Sequence, residues 1–141
     1  MRWTQAEYVV TDDPSEMDVD FIHALLRTTY WAEHRSREVV EASFRSSASI
    51  PFMGRCSGKP AGFARVVTDR CTFAWVCDVV VHPEHRGKGL AKFLMSCVMA
   101  HPDLKQTKMC LATRDAHKLY EPIGFVRREM MWRVPAMEGN R

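Results

Sequence analysis

The stretch VVVHPEHRGKGLAKFLM, residues 79–95, constrains the fold most, because a β-branched run changes there into an amphipathic helix. A strand that enters a helix directly leaves the first helical N–H groups unpaired, at the positive end of the helix dipole. Gly87 and Gly89 lack the Cβ atoms that would keep a ligand from the backbone, and three basic side chains add positive charge. The stretch therefore predicts a strand, a loop and a helix that together bind an anion.

The rest of the chain predicts an α/β protein with one mixed sheet and helices on both faces. A strand at 6–12 precedes helical material at 18–46, which is broken near WAEHRSRE. The β-rich runs SIPFMGRC, AGFARVVTD and CTFAWVCDVVV are separated by SGKP and TDR, as in an antiparallel meander. After the helix that starts at Leu90, we expect a strand at TKMCLAT, a helix at RDAHKLYEPI and a terminal strand or hairpin at GFVRREMMWRV. The predicted order is β-α-α-β-β-β-α-β-α-β, with one further strand at the end.

Composition predicts a single domain over residues 1–141. Hydrophobic residues make up 46% and charged residues 26% of the chain, an ordinary globular balance. Apolar runs fall short of the ~20 residues of a membrane helix, and the N-terminus lacks an apolar h-region. The net charge of +3 is small and spread along the chain. We therefore expect a cytoplasmic protein with neither nucleic acid nor membrane as a partner.

Neither the cysteines nor the loop histidines define a reactive or metal site. The five cysteines form no C-x-x-C pair, and Cys77, Cys97 and Cys110 lie in apolar patterns typical of the core. No cysteine is marked as a nucleophile, and reduced thiols are expected. His82 and His85 lack a third ligand at a fitting spacing, so we expect no metal.

Three known phosphate-binding patterns can be compared with the glycine loop. The Walker pattern fails because the loop lacks both its glycine spacing and a hydroxyl after the lysine. The dinucleotide pattern G-x-G-x-x-G fails because Lys92 stands where the third glycine is needed. The third pattern, [QR]-x-x-G-x-[GA], fits RGKGLA through Arg86, Gly89 and Ala91.

RGKGLA resembles the acyl-CoA pyrophosphate loop of the GNAT superfamily of N-acetyltransferases. Downstream, LATRDAHKLYEPIGF resembles the second signature of that superfamily, through Ala116, Tyr120, Gly124 and Phe125. The two signatures stand in the family's order, and the predicted elements follow the family's order along the whole chain. One departure is Thr113, which stands where many members have an asparagine seven residues before the tyrosine.

The resemblance implies acetyl-CoA as the acetyl donor and a role for each part of the site. The backbone N–H groups near Val79 to Val81 would contact the pantetheine arm and support the oxyanion. Tyr120 would be the general acid that protonates the departing thiolate, because a phenol is protonated at neutral pH. The implied cofactor-binding residues are Val79, Val80, Val81, Arg86, Gly87, Lys88, Gly89, Leu90, Ala91, Lys92 and Thr113.

The general base and the acceptor site are less narrowly defined. Asp78 is a candidate base, because a carboxylate within FAWVCDVVV is costly unless it is paired or hydrated; the alternative is a buried aspartate held by arginine or backbone donors. In the superfamily the first two helices and their junction line the acceptor pocket. The candidate acceptor-site residues are therefore Tyr30, Trp31, Glu33 and His23, and Glu33, His23 and His34 are further candidates for the base.

These expectations amount to an N-acetyltransferase that moves an acetyl group from acetyl-CoA to a primary amine of a small molecule, by direct attack in a ternary complex. A protein N-terminus and a lysine side chain remain open as acceptors, and a homodimer is expected only by family analogy. Two alternatives stand beside this reading. One is a noncatalytic acyl-CoA-binding sensor or regulatory module, and the other is a nucleotide-binding protein that uses the same loop.

Overall fold

The computed structural model describes residues 1–136 and contains one six-stranded sheet with helices on both faces. The elements in chain order are β1 (Arg2–Gln5), β2 (Tyr8–Thr11), α1 (Val19–Leu26), α2 (Arg37–Arg45), β3 (Ser49–Cys56), β4 (Lys59–Thr68), β5 (Phe73–Val81), α3 (Leu90–Ala100), β6 (Lys108–Cys110) and α4 (His117–Tyr120).

The strands lie side by side in chain order, from β1 to β6. Neighbouring strands are antiparallel up to β5, and β6 joins β5 in parallel after the crossover through α3. Helices α1 and α2 pack through Ile22 and Phe44 on one face of the sheet, against Met53 and Phe63. Helix α3 packs on the opposite face, where Leu94 lies in the larger apolar core.

Local chemistry accounts for where several elements begin. Asp18 accepts a hydrogen bond from the Phe21 backbone N–H at 3.0 Å and caps α1, and Ser36 caps α2 in the same way. The SGKP segment makes a two-residue turn, in which Ser57 and Gly58 both have positive φ angles, 50° and 82°. That geometry matches the twist of the two strands that it joins, so the predicted hairpin is confirmed.

The predicted fold class is confirmed, but one strand and one helix boundary differ from the prediction. The sequence prediction places one strand at 6–12, whereas the chain forms a hairpin of β1 and β2 around Ala6 and Glu7. Ala6 has a φ of 51° without being a glycine or an asparagine, so the usual turn signal is absent from the sequence. The predicted helix break begins earlier, because α1 ends at Leu26.

The predicted terminal strand at GFVRREMMWRV is wrong for the residues that the structure describes. Residues 125–135 carry no strand, and Val126, Met131 and Trp132 are exposed. Apolar and β-branched composition favours a strand only where a neighbouring backbone edge is in place to pair with it. Trp132 instead packs edge-to-face on Trp75 of β5, with ring centroids 5.1 Å apart.

Within residues 1–136, no helix has both the length and the apolar character that crossing a membrane requires.

Candidate active site

The sheet opens where β5 and β6 part. Their parallel pairing runs from Phe73↔Lys108 to Trp75↔Cys110, and β5 then continues to Val81 paired with β4. Within the described part of the chain, no strand pairs with β5 on that side beyond Trp75. The backbone of Val76–Val81 therefore borders an opening between the two strands, where its polar groups can meet a ligand.

A bulge turns the second half of β5 within that opening. Phe63 pairs with Val80 and Arg65 pairs with Cys77, so Asp78 and Val79 together stand opposite the single residue between Phe63 and Arg65. Asp78 has a φ of 59°, in the left-handed region that aspartate tolerates better than most residues do. The bulge bends the strand and changes the direction of the backbone groups that follow it.

The glycine loop connects the end of β5 to the N-terminus of α3. Gly87 and Gly89 have φ angles of 74° and 85°, and a Cβ built on either residue would have no heavy atom within 4 Å. Gly89 is the N-cap of α3, and no side chain of residues 1–136 bonds to the first turn as a cap. The Arg86 Nε atom donates to the Val81 carbonyl at 3.1 Å, which holds the loop against the strand end. An open helix N-terminus beside basic side chains is a site for an anion such as a phosphate.

Two glycines in the sheet allow α3 to approach it closely. Gly54 and Gly62 pair with each other across β3 and β4, directly beneath Leu90, the first residue of α3. A Cβ on Gly54 would lie 3.2 Å from Leu90 Cδ1, and one on Gly62 would lie 3.1 Å from Leu90 Cδ2. Glycine at both positions therefore sets the height of the N-terminus of α3 above the sheet.

Tyr120 ends the short helix α4 and is buried at 8% exposure. Its ring packs edge-to-face against Phe125, with centroids 5.9 Å apart. Burial, with smaller contributions from the nearby Tyr30 and Asp115, raises the pKa of Tyr120 to about 12. The phenol therefore carries its proton at neutral pH and is available as a donor.

Comparisons with known proteins identify the family. The family model described as "Acetyltransferase (GNAT) domain" matches residues 29–127, more than half of the chain. The chain belongs to the GNAT family of acetyltransferases. The GNAT signatures read from the sequence, around RGKGLA and LATRDAHKLYEPIGF, both lie within the matched residues.

Individual relatives agree with the GNAT assignment. A crystal structure from Xanthomonas campestris (xcc2953), described as belonging to the GNAT family, has 39% identity and a TM-score of 0.85, covering 94% of this chain and 97% of that one. The Gibberella zeae protein FG08082, named provisionally as an acetyltransferase, is 26% identical, covering 87% of this chain and 81% of its own. A Clostridium acetobutylicum structure, described as a predicted acetyltransferase with acetyl-CoA, has 12% identity and a TM-score of 0.68, covering 95% and 98%, and shows the shared GNAT fold.

The predicted cofactor-binding residues of this GNAT chain fall into two groups. Val79 to Val81 end β5, and residues 82–85 connect them to the loop from Arg86 to Lys92, in which Lys88 and Lys92 are exposed and Leu90 is buried in the core. Leu90 can therefore offer a ligand its backbone only. Thr113 lies apart, beyond β6, and its Oγ1 accepts a hydrogen bond from the Ala116 N–H at 2.9 Å. That contact makes Thr113 the residue that shapes the turn into α4.

Asp78 is a buried aspartate held by arginine, which is the alternative to its role as a general base. Its side chain is fully buried, and the Arg35 Nη1 atom lies 2.9 Å from both of its carboxylate oxygens. The Arg65 Nε atom donates at 2.8 Å and the Trp31 Nε1 atom at 3.0 Å. A carboxylate with four such donor contacts has little remaining capacity to accept a substrate proton.

Of the candidate acceptor-site residues, Tyr30, Trp31 and Glu33 lie in the junction between α1 and α2, and His23 lies on α1. Tyr30 is 40% exposed, and its hydroxyl accepts a hydrogen bond from the Arg114 backbone N–H at 3.2 Å, while the Arg114 guanidinium lies over its ring. Trp31 packs beside Tyr30 and reaches inward to Asp78.

The remaining candidate residues are either exposed to solvent or bonded to the backbone. Glu33 and His34 are exposed and lie 3.4 Å apart. His23 Nε2 lies 3.1 Å from the Arg35 carbonyl, which can only accept, so that nitrogen carries the proton. His23 therefore holds the junction together from α1.

Two buried thiols are protonated, and residues 1–136 contain no cluster of metal ligands. Burial raises the pKa values of Cys77 and Cys97 to about 12, so both are neutral at physiological pH. Among residues 1–136, no group of three or more histidine, cysteine, aspartate or glutamate side chains is arranged to hold a metal.

Sequence reasoning missed four residues that shape the site: Arg35, Arg65, Gly54 and Gly62. The two glycines interrupt β-rich runs, which is a recognised signal of close backbone approach. The two arginines carry no such signal, because they meet Asp78 only after strands and helices from distant parts of the sequence have packed together.

Proposed function

We propose that this GNAT acetyltransferase transfers the acetyl group of acetyl-CoA to a primary amine of a small molecule, by direct attack in a ternary complex. The observation that carries the proposal is the part of β5 beyond Trp75, which no described strand pairs with on the β6 side. The glycine loop connects this part of β5 to the N-terminus of α3, where no side chain of residues 1–136 acts as a cap. A pyrophosphate at that helix end and a pantetheine arm along Val79–Val81 would follow one continuous path. The Clostridium acetobutylicum relative that contains acetyl-CoA and has the same fold supports this choice of donor.

The protein groups have separate proposed roles. Backbone N–H groups of Val79 to Val81 face the thioester carbonyl and stabilise its developing negative charge, by about 3 kcal/mol for one well-placed donor. Tyr120 gives its proton to the departing thiolate, and its raised pKa keeps that proton in place. Tyr30 and Trp31 form the wall against which the amine is held. The base is a water molecule or Glu33, since Asp78 is engaged by two arginines.

A CoA-release assay with a panel of amines tests the proposal. Release is read by mass or by CoA absorbance, because five cysteines would react with a thiol dye. We expect the Tyr120→Phe substitution to lower kcat by about 10²- to 10⁴-fold, with CoA affinity retained.

The Tyr8→Phe substitution is the matched control, since Tyr8 is also buried but lies on β2 and its hydroxyl contacts His85 instead. Its kcat should stay near that of the wild type. Tight CoA binding without turnover of any amine by the wild type would favour the noncatalytic acyl-CoA-binding module. Thermal stabilisation by ATP but not by acetyl-CoA would favour nucleotide binding.

A further inference from the structure

A buried ionic cluster joins the α1–α2 junction to the bulge of β5. It consists of Asp78, Arg35, Arg65 and Trp31, which we call the Asp78 cluster. The aspartate side chain is 0% exposed, the Arg65 side chain 12% and the Arg35 side chain 29%. Charged groups at this depth are costly unless they are well paired, so the cluster fixes the positions of all its members.

Arg65 and Arg35 connect Asp78 to different parts of the fold. Arg65 lies on β4, the strand next to the bulge, and its Nε atom donates to Asp78 Oδ2 at 2.8 Å. Arg35 lies in the junction, where its Nη1 atom contacts both aspartate oxygens at 2.9 Å. Arg65 therefore fastens the bulge to the sheet, and Arg35 fastens the junction to the bulge.

These contacts tie the junction to β5. Residues 27–36 contain neither helix nor strand, and their internal bonds include Arg35 N–H to the Ala32 carbonyl at 3.2 Å. Among the described residues, the Trp31 indole and the Arg35 guanidinium are the two groups of the junction that hydrogen-bond to β5, and both bond to Asp78. Asp78 immediately precedes Val79, so a shift of the carboxylate moves the backbone groups that are proposed to face the thioester.

We propose that Arg35 is a positioning residue that acts through Asp78 to hold the acceptor wall at a fixed distance from the acetyl donor. This inference rests on the proposed function, because it assumes that Tyr30 and Trp31 form the wall and that Val79–Val81 face the thioester. Reaction between two bound molecules depends steeply on their relative placement, and a misplacement of about 1 Å can cost about 10²-fold in rate.

The charges of the cluster allow this role to be separated from folding. Two guanidinium groups surround one carboxylate, so Arg35→Gln leaves the neutral Asp78–Arg65 pair intact in the buried site. Asp78→Asn, in contrast, leaves two arginines without a counter-charge and is expected to harm folding itself. Arg35→Gln is therefore the informative substitution.

The first test compares Arg35→Gln, Arg35→Lys and the control Arg37→Gln in steady-state kinetics. Arg37 also bonds to an aspartate, Asp20, at 2.7 Å, but that pair is exposed. We expect Arg35→Gln to lower kcat by about 10- to 100-fold and to raise the acceptor KM, with the dissociation constant of CoA unchanged. Arg35→Lys should restore part of kcat, since an ammonium can occupy the Nη1 position, and Arg37→Gln should have no effect. Wild-type kcat and acceptor KM in Arg35→Gln would overturn the inference.

The second test does not need turnover, so it separates this inference from the proposed function. Hydrogen–deuterium exchange is measured for backbone amides of the junction and of Val79–Val81 in the free protein. We expect Arg35→Gln to accelerate exchange in both segments while β3 stays protected, and Arg37→Gln to change neither. Acceleration in the junction alone would refute the coupling through Asp78. If the wild type turns over no amine but both segments respond, the proposed function fails and the coupling stands.

Discussion

The contact between Leu90 and the glycines beneath it gives a quantitative test of how α3 is positioned. In the Gly54→Ala variant, the added Cβ would lie 3.2 Å from Leu90 Cδ1 and 3.7 Å from both Leu90 Cδ2 and the Gly62 carbonyl oxygen. Leu90 is 1% exposed and packed among core residues, so its side chain cannot simply rotate away. Either the leucine or the whole start of α3 must move by a few tenths of an ångström.

The expected size of the effect follows from two opposing contributions. Overpacking a core costs about 1–3 kcal/mol. Replacing glycine by alanine stabilises the protein by about 0.4–1 kcal/mol, because it lowers the conformational entropy of the unfolded chain. The net change in the free energy of unfolding is therefore a loss of about 1 kcal/mol. In a Leu90→Ala background the clashing atoms are absent, so the same substitution should become stabilising. The coupling free energy between the two sites should be about 2 kcal/mol.

The wild type, Gly54→Ala, Leu90→Ala and the double variant form a double-mutant cycle. Urea unfolding of these four proteins measures the coupling free energy. Gly58→Ala is the control, because Gly58 has a φ of 82° but an added Cβ there would meet nothing within 4 Å. It should destabilise equally in both backgrounds, through backbone strain alone. Additive free energies for Gly54→Ala and Leu90→Ala would refute the claim that the glycines set the height of α3.

Two further predictions concern the helix end and alkaline pH. Gly89→Ala forces alanine to a φ of 85°, so we expect a stability loss of about 1–2 kcal/mol and a smaller thermal shift on adding CoA, measured by differential scanning fluorimetry. The pKa values of Cys77, Cys97 and Tyr120 are each raised to about 12 in the folded protein, from ordinary values of 9.0 for the thiols and 10.0 for the phenol. The folded state thus holds more protons than the unfolded state between these values, and stability should be intact below pH 9 and fall from pH 9 to 12. A melting temperature that stays constant from pH 9 to 12 would contradict the raised pKa values of these three groups.

The segments that sequence reasoning predicted well are those whose signals are local. The glycine loop, helix α3 and the meander of β3, β4 and β5 each follow from periodicity, β-branched composition or turn residues that are close in sequence. The prediction that the loop binds an anion follows from helix-end chemistry alone. The GNAT resemblance then added the acyl-CoA interpretation, and the family match confirmed the family.

The segments that it missed depend on partners far away in the sequence. The β1–β2 hairpin turns at Ala6, which carries no turn signal, and GFVRREMMWRV has the composition of a strand without a paired edge. A strand is stable only when a neighbouring backbone accepts its hydrogen bonds, and the pattern of one segment does not contain that information.

Asp78 shows most clearly how sequence and tertiary structure divide the information in this protein. The sequence by itself determined that a carboxylate inside β5 must be paired, because an isolated buried charge is too costly. Whether its partner would be a substrate amine or an arginine was decided only when the α1–α2 junction packed against β5. Arg35 and Arg65 then reached the carboxylate from 43 and 13 residues away, and Asp78 became part of the site's framework.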